Sequence, residues 1–144
     1  MRQLNDTALL LGRLLVAALF LPSGVSKAMG FGAFAASLAG KGLPYSEVWA
    51  AAAVAVEVLG PIALILGVVP RATALALIAF VIVATATTHR YWEFTDAAAL
   101  RAQEISFYKN VGIIGGLLFY FASGAGAWSI AGRRLDNAAQ PQAT

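Results

Sequence analysis

The amino-acid sequence predicts an all-α integral membrane protein, a bundle of four transmembrane helices with a short interfacial segment between helices one and two. Three observations predict it. Of 144 residues, 60% are apolar and 12% charged, whereas soluble domains average about half and about a quarter. The mean hydropathy is +0.76. The apolar residues also fall into blocks of about 18 to 25 separated by short polar punctuation, the length that crosses a hydrocarbon core of roughly 30 Å at about 1.5 Å per residue. The lipid bilayer is thus the first partner, and a single bundle over residues 1–134 leaves no room for a soluble domain.

Helix one is expected from about Thr7 to Met29, too long for a signal-peptide core and without a convincing small-x-small cleavage site. The stretch from Gly30 to Pro44 is broken by glycines and a proline and reads as an interfacial half-helix and turn. Helix two is expected over 46–67, where Gly67 supplies a stop, and Pro70 suits the first turn of helix three over 71–92. Helix three ends in Tyr91, Trp92 and Phe94, rings of the kind enriched at the membrane–water interface. A polar connection from Glu93 to Tyr108 leads to helix four over 109–130, which Gly132-Arg133-Arg134 stops. Residues 135–144 read as a polar, disordered tail.

Four spans place both termini on one side. Arg2, Arg13, Arg71, Arg133 and Arg134 fall on the terminal side; Lys41, Arg90, Arg101 and Lys109 fall opposite, with Glu47, Glu93, Asp96 and Glu104. The positive-inside rule then puts both termini in the cytoplasm.

The charge balance excludes some functions. A net charge of +3 and a pI near 9.6 could suggest nucleic acid, but the basic residues stand singly at block ends and form no stripe, so no nucleic-acid partner is expected. With no cysteine the chain offers no thiolate metal site, iron–sulfur site or thiol relay of its own, and no metal site is expected. The one histidine, His89, excludes bis-histidine haem ligation within a protomer. Any redox role must use a borrowed cofactor.

Charge facing lipid costs about 2.5 to 3.5 kcal/mol at a helix centre, so ionisable residues inside spans turn to the bundle or to a cavity. On helix one, Arg13, Ala17, Phe20, Gly24 and Lys27 share one face, with Ser23 beside Lys27. On helix two, Ala50, Ala53, Glu57, Gly60 and Leu64 share another, with small residues around the carboxylate. Helix three aligns Thr85, Thr88, His89 and Trp92; helix four aligns Lys109, Gly112, Gly116, Tyr120 and Ser123, with Asn110 beside Lys109. Chain direction puts Lys27, His89, Trp92, Lys109 and Asn110 in the outer half of the bilayer and Glu57 somewhat deeper, which defines a candidate pocket open to the outer face.

Each residue has a structural reading beside the functional one. Glu57 with Lys27 or Lys109 is either a buried ion pair that fixes helix register or a ligand- or proton-handling group. His89 is either an interfacial histidine or a proton donor to a quinone-like ligand. Arg13 and Lys109 read first as snorkelling anchors, and Trp92 reads as belt before pocket lining. Gly112-x-x-x-Gly116 reads as helix packing, alongside Gly24 and Gly60.

Several of these pieces, in their order and spacing, resemble the DoxX family of small four-helix bacterial membrane proteins, related to the DoxD subunit of thiosulfate:quinone oxidoreductase. They are Arg13-Leu14-Leu15, Gly24-Val25-Ser26-Lys27, Glu57-Val58-Leu59-Gly60 leading to Leu66-Gly67, Thr88-His89 and Lys109-Asn110, spread from Arg13 to about Leu118. The resemblance implies a bacterial inner-membrane component associated with redox metabolism, at times partnered with an oxidoreductase or an oxidative-stress enzyme, with quinone interaction suggested. Pro61 departs from the family pattern, where a second glycine often follows Gly60, and is expected to kink helix two beside Glu57. Three functions compete: a redox-linked subunit with a quinone or another small apolar molecule in its pocket, a non-enzymatic scaffold for a partner oxidoreductase, and a small-solute transporter. The last is disfavoured because no inverted repeat is visible. Homo-oligomer formation is left open.

Overall fold

A computed structural model describes residues 2–139. The chain forms α1 (Arg2–Met29), α2 (Phe31–Gly40), α3 (Ser46–Leu66), α4 (Pro70–Thr88), α5 (Ala97–Ser123) and α6 (Ile130–Ala139), with a 3-10 turn at Tyr91–Glu93 between α4 and α5. Four segments, Gln3–Met29, Ser46–Leu66, Pro70–Glu93 and Ala97–Ser123, are long and apolar enough to cross a membrane. The short α2 packs on α3 and occupies the place expected for the interfacial half-helix.

The helices are laid side by side in the order α1, α3, α4, α5, and α1 and α5 touch only sparsely. The core between them is apolar, built around Ala17, Phe20, Leu64, Leu77, Val81 and Leu117. Large apolar side chains such as Leu15, Leu59, Val83 and Phe119 are exposed on the outside of the bundle. That inversion of a soluble protein suits a bilayer solvent, where lipid tails are as apolar as leucine.

Boundaries differ from expectation chiefly at α5, which starts at Ala97 instead of Lys109 and ends at Ser123 instead of Ile130. The Asp96 carboxylate accepts a hydrogen bond from the Ala99 N–H at 2.8 Å and caps the helix. Ala97 to Leu100 are strong helix formers, and Arg101 pairs with Glu104 one turn on at 2.7 Å. What looked like a polar connection is therefore the first three turns of the helix. At the other end Gly124, at φ +76°, takes a backbone conformation that side-chain-bearing residues avoid, and the helix stops there. The last helix, α6, includes residues 135–139, the first part of the tail that composition predicts to be disordered. The remainder of that tail, 140–144, lies outside the described residues.

Pro61 leaves α3 continuous from Ser46 to Leu66 and is itself buried. It has no N–H for the carbonyl of Glu57 four residues earlier. Gly24 of α1 packs at that spot: a Cβ on Gly24 would stand 2.9 Å from the Glu57 backbone carbon and oxygen. Substituting Gly24 with leucine is accordingly expected to push α1 from α3 and to cost about 1–3 kcal/mol of stability, read as a lowered unfolding midpoint in detergent; an unchanged midpoint would contradict this packing.

Candidate functional site

The ionisable faces expected from the sequence do turn inward on α1 and α3. Arg13, Ala17, Phe20 and Gly24 are buried on α1, and Ala50, Glu57 and Leu64 on α3. Across that interface the Lys27 Nζ lies 2.7 Å from both carboxylate oxygens of Glu57, and the Ser23 hydroxyl donates to Oε1 at 3.3 Å. Glu57 is 5% exposed. Gly24 lets the two helix backbones approach closely enough for this three-residue cluster to form. The Lys27 ammonium also lies 5.2 Å from the centroid of the Phe34 ring on α2, a cation–π contact that ties the interfacial helix to the pair.

The other residues of the candidate pocket form separate clusters. The Asn110 amide of α5 donates to the Thr85 hydroxyl of α4 at 2.8 Å, and that hydroxyl donates in turn to the Val81 carbonyl at 2.6 Å. The His89 Nδ1 is 2.8 Å from the Gln103 side-chain oxygen. Trp92 is 59% exposed and packs edge-on against Tyr91 and Phe107, with ring centroids 5.2 and 6.0 Å apart.

Lys109 does not join Glu57. It is exposed and borders a surface depression with Arg101, Glu104, Ile105 and Tyr108. The GxxxG pair also behaves differently from expectation: a Cβ on Gly112 or Gly116 would meet nothing within 4 Å. The buried face of α5 instead carries Asn110, Leu117 and Tyr120. Gly60 does serve packing, because Leu77 of α4 fills the space where its Cβ would stand. No group of three or more metal-ligating side chains occurs among the described residues.

Arg13 is not a snorkelling anchor. It is 2% exposed, and its guanidinium donates from Nη1 to the Ile65 carbonyl at 3.0 Å and from Nη2 to the Trp128 carbonyl at 2.6 Å. Ile65 belongs to the last turn of α3, whose carbonyls lack helical donors and sit at the negative end of the helix dipole. Trp128 belongs to the loop between α5 and α6. Asp6, two turns before Arg13, holds the same loop by accepting the Ala127 N–H at 2.8 Å, and the Ala131 N–H reaches the Gly67 carbonyl at 3.2 Å. The start of α1, the end of α3 and the end of α5 therefore meet at one end of the bundle.

Beside this latch, where α1 and α5 fail to close on each other, lies a cavity of about 260 Å³. Arg13, Gly12 and Val16 of α1, Leu64 of α3, and Gly116 and Tyr120 of α5 border it. Two residues on its border each keep a buried polar atom, Arg13 Nε and the Tyr120 hydroxyl oxygen, without a hydrogen-bond partner among the described residues. Tyr120 falls on the polar face predicted for helix four, where its residue type alone assigns it no role. A phenol inside an apolar span, on the same face as a glycine, was the available signal.

Four apolar spans, with Arg13 and Glu57 buried between them and Lys27 paired to Glu57 across the α1–α3 interface, define a polytopic integral membrane protein. The chain belongs to the DoxX family, whose profile it matches over residues 8–90. Over 122 residues it is 34% identical to the Inner membrane protein YphA of Escherichia coli (strain K12), a match that spans 85% of this chain and 86% of that protein. No solved structure matches the chain.

Proposed function

We propose that the protein is a redox-associated accessory subunit of the bacterial inner membrane, with both termini cytoplasmic, that holds a partner oxidoreductase or oxidative-stress enzyme and carries no electrons itself. The observation that supports this reading best is that most polar groups of the candidate pocket already pair with one another inside the bundle. Lys27 with Glu57, Asn110 with Thr85, and His89 with Gln103 each satisfy one another across an element boundary. Buried polar pairs of this kind set helix register and specificity more than stability. The redox association rests on the family, and the inner-membrane location on the likeness to the E. coli Inner membrane protein YphA. The exposed Arg71, Arg133 and Arg134 at the end shared by the α3–α4 turn and α6 support the orientation.

The test is copurification of the tagged full chain from native membranes. A Lys27→Met/Glu57→Leu variant, which keeps an apolar register pair in place of the ionic one, is expected to retain the partner at wild-type yield. Loss of the partner from a variant that is still folded would contradict the accessory reading. A second reading has one observation in its favour: the Lys27 side chain is 29% accessible above the Phe34 ring, so a quinone carbonyl could reach its ammonium in a site formed by Lys27, Glu57 and Phe34. Reduced quinone binding in folded Glu57→Gln and Lys27→Met proteins would favour it.

A further inference from the structure

The Lys27–Glu57 cluster and the α1–α5 cavity lie at different depths and use different residues, so the cavity stands apart from the function proposed above. Its neighbourhood contains an uncommon combination. Arg13 and Tyr120 are 2% and 7% exposed, both border the cavity, and each retains a buried polar group without a partner. An orphaned buried donor costs about 1–3 kcal/mol, and most buried polar atoms in native proteins find protein, water or ligand partners. Moreover, no carboxylate pairs with the Arg13 guanidinium among the described residues, where the ion pairs are Lys27–Glu57, Arg90–Glu93 and Arg101–Glu104. The two carbonyls it does engage are neutral. A cation so placed, next to a phenol, selects an oxygen that carries full or partial negative charge.

The rest of the cavity selects an apolar body. Val16 and Leu64 supply aliphatic wall, while Gly12 and Gly116 present bare backbone from opposite helices. A Cβ at either glycine would meet nothing within 4 Å. A volume of about 260 Å³ exceeds the roughly 150 Å³ that accommodates benzene in a dry apolar cavity. There is room for a substituted or fused ring, or for the head and first carbons of an acyl chain.

We propose that the α1–α5 cavity binds a membrane-soluble amphiphile through an acceptor oxygen, a carboxylate or a quinone-type carbonyl, which takes hydrogen bonds from Arg13 Nε and the Tyr120 hydroxyl while the apolar body lies along Gly12 and Gly116. The site sits at the end of the bundle where the α3–α4 turn and the α5–α6 loop meet α1. A ligand there touches α1, α3 and α5 together, and it reinforces the least closed seam of the bundle.

The experiment titrates the purified full chain in detergent with two probes, lauric acid for the carboxylate and 1,4-naphthoquinone for the carbonyl, reading saturable binding and the thermal midpoint. Wild-type protein is expected to bind one or both and to gain thermal stability on binding; whichever probe binds identifies the head group. Tyr120→Phe is expected to weaken binding about 3- to 10-fold while leaving the unliganded midpoint unchanged or higher, since the lost hydroxyl had no partner. Gly116→Leu, which grows into open space, is expected to fold and to lose binding by at least about tenfold; should it fail to fold, Tyr120→Phe decides alone. The proposal is overturned if neither probe binds saturably, if Tyr120→Phe binds like wild type, or if Tyr120→Phe lowers the unliganded midpoint, which would mean that the hydroxyl is structural.

Discussion

Replacing Arg13 with methionine is expected to lower the unfolding free energy by about 3 kcal/mol or more, measured by denaturant titration in mixed micelles. The side chain is held by two carbonyls on different elements, Ile65 of α3 and Trp128 of the α5–α6 loop. Hydrogen bonds from a charged donor contribute about 1.5–3 kcal/mol each, and their removal leaves both carbonyls short of a donor. Methionine fills similar space without either bond, so packing changes little and the loss reports the latch. Arg13→Lys is expected to recover less than half of it, because one ammonium cannot match a planar fork that serves two acceptors on different elements. A methionine variant within about 0.5 kcal/mol of wild type would show that the desolvation cost of the buried guanidinium cancels its bonds.

The second large effect is expected at the Lys27–Glu57 pair, where Lys27→Met alone should cost about 3–5 kcal/mol. It leaves the Glu57 carboxylate, 5% exposed, with only the Ser23 hydroxyl at 3.3 Å. The Lys27→Met/Glu57→Leu double variant should return to within about 1 kcal/mol of wild type, since an apolar pair of similar volume needs no desolvation. Comparing single and double variants by the same titration isolates the coupling. Equal destabilisation in both would mean that the pair adds net stability beyond register.

Much of this architecture was legible in the residues. The α1 and α3 spans, the half-helix α2 and the tight α3–α4 turn follow from apolar run length and from Gly67 and Pro70, and the structure places them close to expectation. The inward faces of α1 and α3 also follow from spacing, because a charge in a span has one tolerable side. The start of α5 was obscured because Arg101, Gln103 and Glu104 made a helical segment look like a connection. Composition reports the solvent around a segment, not its backbone conformation. The correct signal was the Asp96 cap ahead of an alanine run.

The pairing of the polar residues was decided elsewhere. Glu57 could have met Lys27 or Lys109; the rotation of α5 about its axis sends Asn110 inward and Lys109 out. The partners of Arg13 are two backbone carbonyls, groups that every residue carries and that no residue type announces. The cavity follows from the sparse contact of α1 with α5, a property of helices separated by most of the chain. Hydropathy and helical period act within a segment and can be read from it in isolation. Helix rotation and stagger minimise the free energy of all the interfaces together, so which charge finds which oxygen, and where a gap is left, emerges only when the helices are assembled.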